Sequence, residues 1–385
     1  MTKQQPMPAQ PTILTPRPSR PLTRNRRIAP AGQANACYFR SGPVEGERKA
    51  LLKITDRCDL RCAHCFVSAT AEGSDMSVSS ILLAIPRLKE ARVGTVTLTG
   101  GEPLVHPELP EILERLVEAG FEVTVCTNAV SLSDELLRDV KRLGHVSFNV
   151  SLDGITADSH GKFRGRRESF EATLENSRRL GSAGLLKGVL STPNSLASGD
   201  EYVALFDLAN DLDADYLLMN PLSSFGRGIG SRRRLKADER TMSEIQSRIQ
   251  EAAGDGSPEA VFIRFPNESR PLSGCIAGDI FYVFVNGDVA VCPYLVFATE
   301  NPGAKHRRDE FIVGNLFDDS GNIASKLDAY KFHERYSVGA NPSCAGCSAD
   351  ASCGKGCPAA VIASGGRIGD LDADVCPTPE AVHCL

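Results

Sequence analysis

Three cysteines stand close together in the segment CDLRCAHC, which covers residues 58 to 65. Cys58, Cys62 and Cys65 are separated by four and then three positions. The chain has 13 cysteines in all, and an odd number gathered into clusters fits metal ligation better than a disulfide framework. Three thiolates on one tight loop could hold three irons of a 4Fe-4S cluster and leave the fourth iron open.

Two other metal chemistries fit this segment less well. A tetrahedral zinc site would need a fourth ligand, and His64 cannot easily share a metal with the cysteines around it in so tight a loop. Haem attachment requires histidine directly after the last cysteine, and this chain has Phe66 there. The residues alone therefore favour a cluster with a vacant position and leave zinc as the alternative.

Composition indicates the compartment and excludes some classes of protein. The 385 residues, 42% of them hydrophobic, suffice for one large domain with an appendage. The net charge is -5, which gives no sign of nucleic-acid binding. We see no secretory signal and no apolar run of about 18 residues. These features predict a cytoplasmic protein without membrane or nucleic-acid partners.

Residues 1–36 differ in composition from the rest of the chain. They contain seven prolines, six basic residues and no acidic residue, without a periodic apolar pattern. Such a segment has too little apolar surface to bury. We therefore predict a disordered, basic and proline-rich tail.

From residue 50 onward, short apolar runs alternate with amphipathic segments, which is the pattern of repeated βα units. The predicted strands cover residues 50–55, 95–99, 122–127, 145–152, 187–191 and 215–220. Helix signals lie between them; Ser133, for example, is placed to cap one helix and Gly144 to end it. Six units are too few for a complete eight-fold barrel. The predicted fold class is α/β, with a partial (β/α)6 barrel.

The composition changes again near residue 260, where glycine, cysteine and short strands become frequent. We therefore predict a partial barrel over residues 37–259 and a small cysteine-rich domain over residues 260–385. In such a barrel, chemistry is expected at the C-terminal ends of the strands.

Residues suited to ligand binding follow three of the predicted strands. Gly100, Gly101 and Glu102 follow the second strand, Asn128 ends the third, and Ser151 ends the fourth. Two glycines allow the backbone to approach a ligand closely, and a carboxylate can neutralise an amine. A tight turn before a helix is the alternative explanation of the Gly-Gly-Glu sequence.

The C-x3-C-x2-C segment after a first barrel strand resembles the signature of the radical S-adenosylmethionine enzymes. In that family the open iron of a 4Fe-4S cluster chelates S-adenosylmethionine, and one electron cleaves it to methionine and a 5'-deoxyadenosyl radical. The resemblance implies that Cys58, Cys62 and Cys65 bind this cluster and that Phe66 packs near the adenine. His64 would then be exposed or lie behind the ligands.

The Gly-Gly-Glu sequence is similar to a second motif of the same family. TGGEPL, residues 99–104, looks like the motif whose backbone and glutamate hold the substrate's ammonium group. The resemblance assigns that role to Gly100, Gly101 and Glu102. Asn128 matches a further strand-end motif and joins the implied cofactor-binding residues.

SLDG at residues 151–154 and FRG at residues 163–165 resemble the part of these enzymes that contacts ribose and carboxylate. The likeness implies that Ser151 bonds the ribose. It also implies that Arg164 bonds the methionine carboxylate, a natural partner for a planar, always-charged guanidinium. Asp153 is included among the cofactor-binding candidates, although a structural role is the alternative.

The C-terminal cysteines are similar to the seven-cysteine pattern of the SPASM extension of this family. The matching residues are Cys275, Cys292, Cys344, Cys347, Cys353, Cys357 and Cys376. The likeness implies two auxiliary 4Fe-4S clusters, and three clusters in all. It assigns Cys275, Cys292 and Cys357 to the first auxiliary cluster and the other four cysteines to the second. Zinc ribbons are the alternative for the C-x2-C pair.

The chain departs from this pattern at two positions. Some members have a fourth cysteine shortly after the residue that matches Cys275, and this chain has none there. The first auxiliary cluster therefore has an open iron or takes another ligand, such as Asp279 or Cys384. Members that oxidise an alcohol typically have aspartate after the residue that matches Cys292. This chain has Pro293 there, which disfavours direct alcohol dehydrogenation.

The resemblance implies an enzyme that removes a hydrogen atom from a ribosomally synthesised peptide and installs a crosslink or altered residue. A flavodoxin- or ferredoxin-type protein would donate the electron. An enzyme that tailors a small-molecule natural-product precursor is the alternative, since the short segment before the barrel leaves no room for a peptide-recognition domain.

Cys126 is a candidate hydrogen-atom donor for an epimerisation. A non-catalytic iron-sulfur electron carrier is the alternative of another class, but it would not need Glu102, Ser151 and Arg164.

Overall fold

The structure of the chain is a computed structural model that describes residues 26–267, 269–318 and 322–377. Within these residues, ten strands form one sheet and two short strands form a separate antiparallel pair. The strands are β1 (Arg26–Arg27), β2 (Ser41–Gly42), β3 (Arg48–Thr55), β4 (Val93–Gly100), β5 (Glu122–Thr127), β6 (Val146–Ser151), β7 (Leu186–Ser191), β8 (Tyr216–Met219), β9 (Glu259–Phe262), β10 (Ile280–Val283), β11 (Asp288–Ala290) and β12 (Ile312–Asn315).

Helices connect most of these strands. They are α1 (Val78–Glu90), α2 (Leu109–Glu118), α3 (Asp134–Leu143), α4 (Lys162–Arg164), α5 (Ser169–Ser182), α6 (Gly199–Asp211), α7 (Arg227–Leu235), α8 (Glu239–Ala252), α9 (Pro293–Ala298), α10 (Ile323–Tyr330), α11 (Phe332–Arg335), α12 (Pro342–Ala345) and α13 (Pro358–Ala363). Among the described residues, no helix has the length and apolar character needed to cross a membrane.

The large sheet has the strand order β12-β11-β10-β3-β4-β5-β6-β7-β8-β9. Strands β3 to β9 are parallel to their neighbours, and helices lie between them along the chain. The predicted α/β class with a partial barrel is therefore confirmed, and the six predicted strands correspond to β3 to β8. The seventh parallel strand, β9, which pairs with β8, was not among the predicted strands. The domain boundary remains a prediction.

Local sequence explains where the barrel helices begin and how they pack. The Ser133 hydroxyl accepts a hydrogen bond from the Leu136 N–H at the start of α3, as a helix cap does. Gly144 ends α3 with a φ of 63°, which glycine adopts at little cost. The buried face of α2 consists of Leu109, Ile112, Leu113 and Leu116. This helical spacing of apolar residues holds α2 against the core.

Beyond β9 the chain returns to the other edge of the sheet. Strand β10 pairs in parallel with β3, and β11 and β12 add antiparallel strands outside it. The cysteine-rich C-terminal region therefore begins beside β3, the strand that leads into the first cysteine loop.

The predicted tail, residues 1–36, lies only partly within the described residues, because residues 1–25 are outside them. Ala34 and Ala36 are buried, and Ala34 forms a bridge with Leu272. The prediction of disorder is therefore wrong for this last part of the segment. Composition could not reveal the packing, because the partner lies far away in the sequence.

Candidate active site

A cavity of about 280 Å³ lies at the carboxyl ends of the parallel strands. Its walls include Cys58, Cys62, Cys65, Phe66, Gly100, Gly101, Glu102, Asn128, Ser151 and Arg164. Cys126, the predicted hydrogen-atom donor, also lines it. The predicted first-cluster ligands and most of the predicted cofactor-binding residues thus meet at one end of the barrel, where the strand-end loops of such folds converge.

The loop after β3 holds the three cysteines at this cavity. Cys62 is buried, and Cys58 is half-buried. Arg227, at the start of α7, donates hydrogen bonds to the carbonyls of Cys62 (2.8 Å) and Ala69 (2.7 Å), which fixes the loop from outside. Burial raises the pKa of the Cys58 thiol to about 12. This thiol must therefore lose its proton when a metal binds.

Among the described residues, no three His, Cys, Asp or Glu side chains are placed to hold a single metal ion. The thiolates of a 4Fe-4S cluster bind separate irons, so they surround a cluster and do not converge on one ion. Three thiols on one short loop, beside a cavity with polar walls, fit a cluster that has one iron facing the cavity.

Gly100 and Gly101 allow the loop after β4 to lie directly against the end of β3. A Cβ atom at Gly100 would overlap with the Thr55 carbonyl oxygen, and one at Gly101 would overlap with the Arg57 carbonyl oxygen. Gly100 also has a φ of +142°, which side chains disfavour. The two glycines therefore make a close approach to the backbone before the cysteine loop, and this approach brings Glu102 to the cavity.

Glu102 is buried, and its carboxylate has a fixed orientation. Oε1 accepts hydrogen bonds from the Thr127 hydroxyl and from the Leu104 N–H (2.9 Å), and Oε2 accepts one from the Asn128 N–H (2.7 Å). Burial raises the pKa of this carboxyl to about 7, although the hydrogen bonds act in the opposite direction. The group can therefore change its charge near neutral pH and accept hydrogen bonds from a basic ligand group.

Asp153 and Arg164 form a buried ion pair at the cavity wall. Arg164 Nε lies 2.6 Å from Asp153 Oδ2, and Asp153 Oδ1 accepts a hydrogen bond from the Thr192 N–H at 2.7 Å. Asp153 is fully buried and is not among the residues that line the cavity, so it contacts Arg164 and not the cavity space. Arg164 does line the cavity, with Nη1 3.8 Å from Cys62 Sγ.

Other predicted residues occupy the same walls. The Asn128 side-chain amide donates to Asp59 at 2.7 Å, which ties the loop after β5 to the cysteine loop. Phe66 packs against Phe297 with ring centroids 5.2 Å apart. Burial raises the pKa of the Cys126 thiol, so this residue presents a neutral S–H group at the cavity.

Four polar atoms of the lining residues are buried without a hydrogen-bond partner among the described residues. They are Thr97 Oγ1, Ser191 Oγ, Asn220 Oδ1 and His64 Nδ1. An unpartnered buried polar atom is costly, so a ligand that bonds to these atoms would relieve that cost. Thr97 and Ser191 were not among the predicted site residues. The available signal was the alternation of Thr97 and Thr99 along β4, since both line the cavity.

His64 lies in the cavity wall and is half-buried. Its ring stacks on Phe163 with centroids 4.5 Å apart. Burial lowers the pKa of His64 well below its usual range, so the ring is neutral. The residue is therefore neither exposed nor fully behind the cysteines.

Three C-terminal cysteines, Cys275, Cys292 and Cys357, form one group. Cys275 is close enough to the other two cysteines for their charges to interact. Burial raises the pKa of the Cys292 thiol to about 12. Cys292 and Cys357 stand directly before α9 and α13, which pack against each other. The packing of these helices brings together thiols that are far apart in the sequence.

The other four cysteines, Cys344, Cys347, Cys353 and Cys376, lie near one another in a second group. The Cys347 N–H donates to the Cys344 carbonyl at 3.1 Å, and Cys344 lies within electrostatic reach of Cys353 and Cys376. Cys353 Sγ accepts a hydrogen bond from the Leu272 N–H at 3.4 Å. The seven cysteines thus lie in two groups, and their roles as cluster ligands stay a prediction.

Comparison with known proteins extends these observations. Residues 52–194 match the model of the Radical SAM superfamily. The antilisterial bacteriocin subtilosin biosynthesis protein AlbA of Bacillus subtilis is 28% identical over 70% of this chain, which spans 58% of that protein. The mycofactocin maturase MftC of Mycobacterium tuberculosis is 28% identical over 86% of this chain and 82% of its own length. The chain thus covers less than two thirds of AlbA and most of MftC.

Solved structures share the fold. Streptococcus suis SuiB bound to the precursor peptide SuiA superposes with a TM-score of 0.66 at 17% identity, over 86% of this chain and 76% of SuiB. Native anSMEcpe with bound AdoMet and Cp18Cys peptide superposes with a TM-score of 0.63 at 16% identity, over 83% of this chain and 92% of that protein. At these identities the likeness concerns the fold.

Proposed function

We propose that the chain is a radical S-adenosylmethionine enzyme of the kind that carries a SPASM extension, and that it modifies a ribosomally synthesised precursor peptide. The proposed reaction begins with removal of a hydrogen atom from the peptide and ends in a crosslink or an altered residue. S-adenosylmethionine and a 4Fe-4S cluster are the cofactors of this superfamily. The names of AlbA and MftC and the SuiB complex with a precursor peptide support a peptide substrate.

One observation carries the proposal: opposite charges and unpartnered polar atoms converge beside the cysteine loop. S-adenosylmethionine joins an amino acid to a nucleoside, so its pocket needs an acceptor for the amino group and a donor for the carboxylate. Glu102 would accept from the amino group, and Arg164 would donate to the carboxylate. The free atoms of Thr97, Ser191 and Asn220, together with Ser151, would serve the nucleoside. An electron carrier would have no use for such a pocket.

Cys58, Cys62 and Cys65 would hold the cluster at one end of the cavity. When bound, the cluster and S-adenosylmethionine supply a carbon-centred radical that removes a hydrogen atom from the substrate. The protein's part is to fix the ligand. Asp153 accepts from Nε of Arg164 and so orients the guanidinium, whose other N–H groups can bond the carboxylate.

An aromatic wall, made of Tyr38, Phe66, Phe225 and Tyr294, lines the side of the cavity that faces the C-terminal region. The Tyr38 ring centroid lies 4.6 Å from that of Tyr294 and 5.3 Å from that of Phe225. These rings would keep water away from a reactive intermediate. Tyr294 follows Cys292 by two positions, so the wall lies next to a residue of the first auxiliary group.

The proposal includes two auxiliary 4Fe-4S clusters. Cys275, Cys292 and Cys357 would contribute to the first, and Cys344, Cys347, Cys353 and Cys376 would bind the second. When bound, such clusters provide an acceptor for the electron that a substrate radical loses. The electron that starts the reaction would come from a flavodoxin- or ferredoxin-type protein in the cytoplasm.

The test is anaerobic incubation of the reconstituted enzyme with dithionite, S-adenosylmethionine and peptides encoded near its gene. We expect 5'-deoxyadenosine and a mass change in one peptide. With a peptide deuterated at the reacting residue, we expect transfer of the label to 5'-deoxyadenosine. The matched control is the Cys58→Ala, Cys62→Ala, Cys65→Ala triple variant.

Two outcomes would contradict two different parts of the proposal, the radical chemistry and the peptide substrate. Absence of 5'-deoxyadenosine from the reduced, fully loaded enzyme would contradict a radical enzyme. Formation of 5'-deoxyadenosine with every candidate peptide unchanged, together with deuterium transfer from a small-molecule precursor, would replace the peptide by that precursor as substrate.

A further inference from the structure

Cys37 belongs to none of the cysteine patterns in the sequence, yet it lies beside the first auxiliary group. The residue is buried, with 4% of its surface exposed. Its thiol donates to the Gly274 carbonyl at 3.2 Å and lies 3.7 Å from the Gly356 carbonyl. Gly274 and Gly356 directly precede Cys275 and Cys357. One thiol therefore reaches the backbone next to two of the three predicted ligands.

The thiols of Cys37 and Cys357 also lie close enough to each other to interact. Cys275 lies within electrostatic reach of both residues, and Cys292 lies within reach of Cys275. All four are free cysteines. One thiol from before the barrel and three from the C-terminal region thus lie together in the fold.

Backbone pairing fixes the segment that carries Cys37. The Ala34 N–H donates to the Pro271 carbonyl, and the Ser273 N–H donates to the Ala34 carbonyl, both at 2.9 Å. The Ala36 N–H donates to Ser273 Oγ, also at 2.9 Å. The residues before Cys37 are therefore aligned with the residues just before Cys275.

A buried ion pair fixes the same segment relative to Cys357. Arg264 Nη1 donates to the Ala36 carbonyl at 3.0 Å and pairs with Asp372 at 2.6 Å. Asp372 Oδ2 in turn accepts a hydrogen bond from the Cys357 N–H at 2.9 Å. The backbone groups beside the two thiols are thus bound to one guanidinium-carboxylate unit.

From these contacts we infer that Cys37 is the fourth thiolate ligand of the first auxiliary cluster. The inference depends on the proposed function only in that it requires this cluster. Thiolate is the ordinary ligand of a 4Fe-4S cluster and is softer than the carboxylate of Asp279. Cys384, the other residue that sequence analysis considered, lies outside the described residues.

The ligand set decides what the first auxiliary cluster can do. With Cys37 bound, each iron has a protein thiolate, and no position remains for a thiolate of the substrate. The cluster then serves in electron transfer alone. The segment before the barrel is also attached to the C-terminal region through the cluster, so loading should stabilise the fold as metal ligation generally does.

A cysteine that merely fills space is the simpler explanation of a buried thiol. Such a residue usually packs among apolar side chains. Cys37 does belong to the buried core, but its thiol also lies beside another thiol and two carbonyl oxygens next to predicted ligands. Its surroundings are those of a ligand group.

The experiment uses the full-length Cys58→Ala, Cys62→Ala, Cys65→Ala variant, because it keeps only the auxiliary clusters, with about eight irons per chain. Adding Cys37→Ala should open one iron. We expect 13C-cyanide to give a 13C hyperfine coupling on the reduced cluster of the Cys37→Ala protein and none on its parent. On mild oxidation the Cys37→Ala protein should lose about one iron per chain and show the EPR signal of a three-iron cluster.

Cys126→Ala in the same background is the matched control, since it removes a buried thiol outside both auxiliary groups. It should leave the spectrum, the iron content and the response to cyanide unchanged. If the Cys37→Ala protein takes up no clusters, the same spectra are recorded on the Cys37→Ser protein. An oxygen ligand should shift the reduction potential and the EPR g-values of one cluster.

Equal cyanide coupling in the parent and the Cys37→Ala protein would overturn the inference, as would a Cys37→Ser spectrum identical to that of the parent. An iron-free parent would overturn it together with the auxiliary clusters. The background makes no 5'-deoxyadenosine, so these results are independent of whether the wild-type enzyme acts on a peptide.

Discussion

Arg264 and Asp372 form a bidentate ion pair in the interior, with Nη1 2.6 Å from Oδ2 and Nη2 2.8 Å from Oδ1. Only 2% of each side chain is exposed. The pair also binds the Ala36 carbonyl and the Cys357 N–H. It therefore connects the segment before the barrel to the C-terminal cysteine region.

Asp372→Asn should strongly destabilise the protein. The amide cannot neutralise Arg264, and an unpaired buried charge costs about 3–5 kcal/mol. We expect a loss of this size in the free energy of unfolding, measured by urea denaturation. The matched control is Asp200→Asn, which breaks an exposed ion pair with Arg248 and should have little effect. Equal losses in the two variants would contradict a special role for the buried pair.

Asp153→Asn should weaken the binding of S-adenosylmethionine. The substitution leaves Arg164 charged but removes the carboxylate that orients it. A hydrogen bond to a charged group contributes about 1.5–3 kcal/mol, so we expect the Kd to rise roughly 10- to 100-fold, measured by anaerobic equilibrium dialysis.

Asp372→Asn is the control for this second substitution, because it breaks a comparable buried ion pair away from the first cysteine loop. It should lower stability and leave the Kd for S-adenosylmethionine near that of the wild type. A similar rise in Kd in both variants would indicate general loosening of the fold instead of a positioning role for Asp153.

Binding of S-adenosylmethionine should depend on pH through Glu102. Burial raises the pKa of this carboxyl to about 7, and the ionised form is the one that accepts from the amino group. The affinity should therefore rise as the pH increases toward 7 and level off above it, by at most roughly tenfold per pH unit. Equilibrium dialysis between pH 5.5 and 8.5 measures this profile.

Glu102→Gln should lower the affinity for S-adenosylmethionine and remove the rise of this affinity below pH 7. Glu300→Gln is the matched control, because the pKa of Glu300 is also raised, but this residue is exposed and lies outside the cavity lining. A Glu102→Gln profile with the slope of the wild type would assign the pH dependence to another group.

Local spacing made the first cysteine loop predictable, because Cys58, Cys62 and Cys65 lie within eight residues and fix one another's positions. The position of Glu102 was predictable for a related reason, since parallel strands bring their C-terminal ends to one edge, whereas Arg164 was assigned from the family resemblance. Cys37 was not, because its partners enter from the far end of the chain. Asp153 was assigned to the ligand, and only the packing of the Arg164 side chain shows that it lies behind the cavity wall.

Gly101→Ala should damage the cavity without changing any polar group. A Cβ atom at Gly101 would overlap with the Arg57 carbonyl oxygen, and relief of the overlap would move the loop that carries Glu102. Such overpacking typically costs about 1–3 kcal/mol. We expect this loss in urea denaturation together with weaker binding of S-adenosylmethionine. Gly230→Ala is the matched control, because nothing lies within 4 Å of a Cβ atom there, and helix α7 should tolerate or favour alanine. Wild-type affinity in Gly101→Ala would show that close approach of the two loops is not needed to place Glu102.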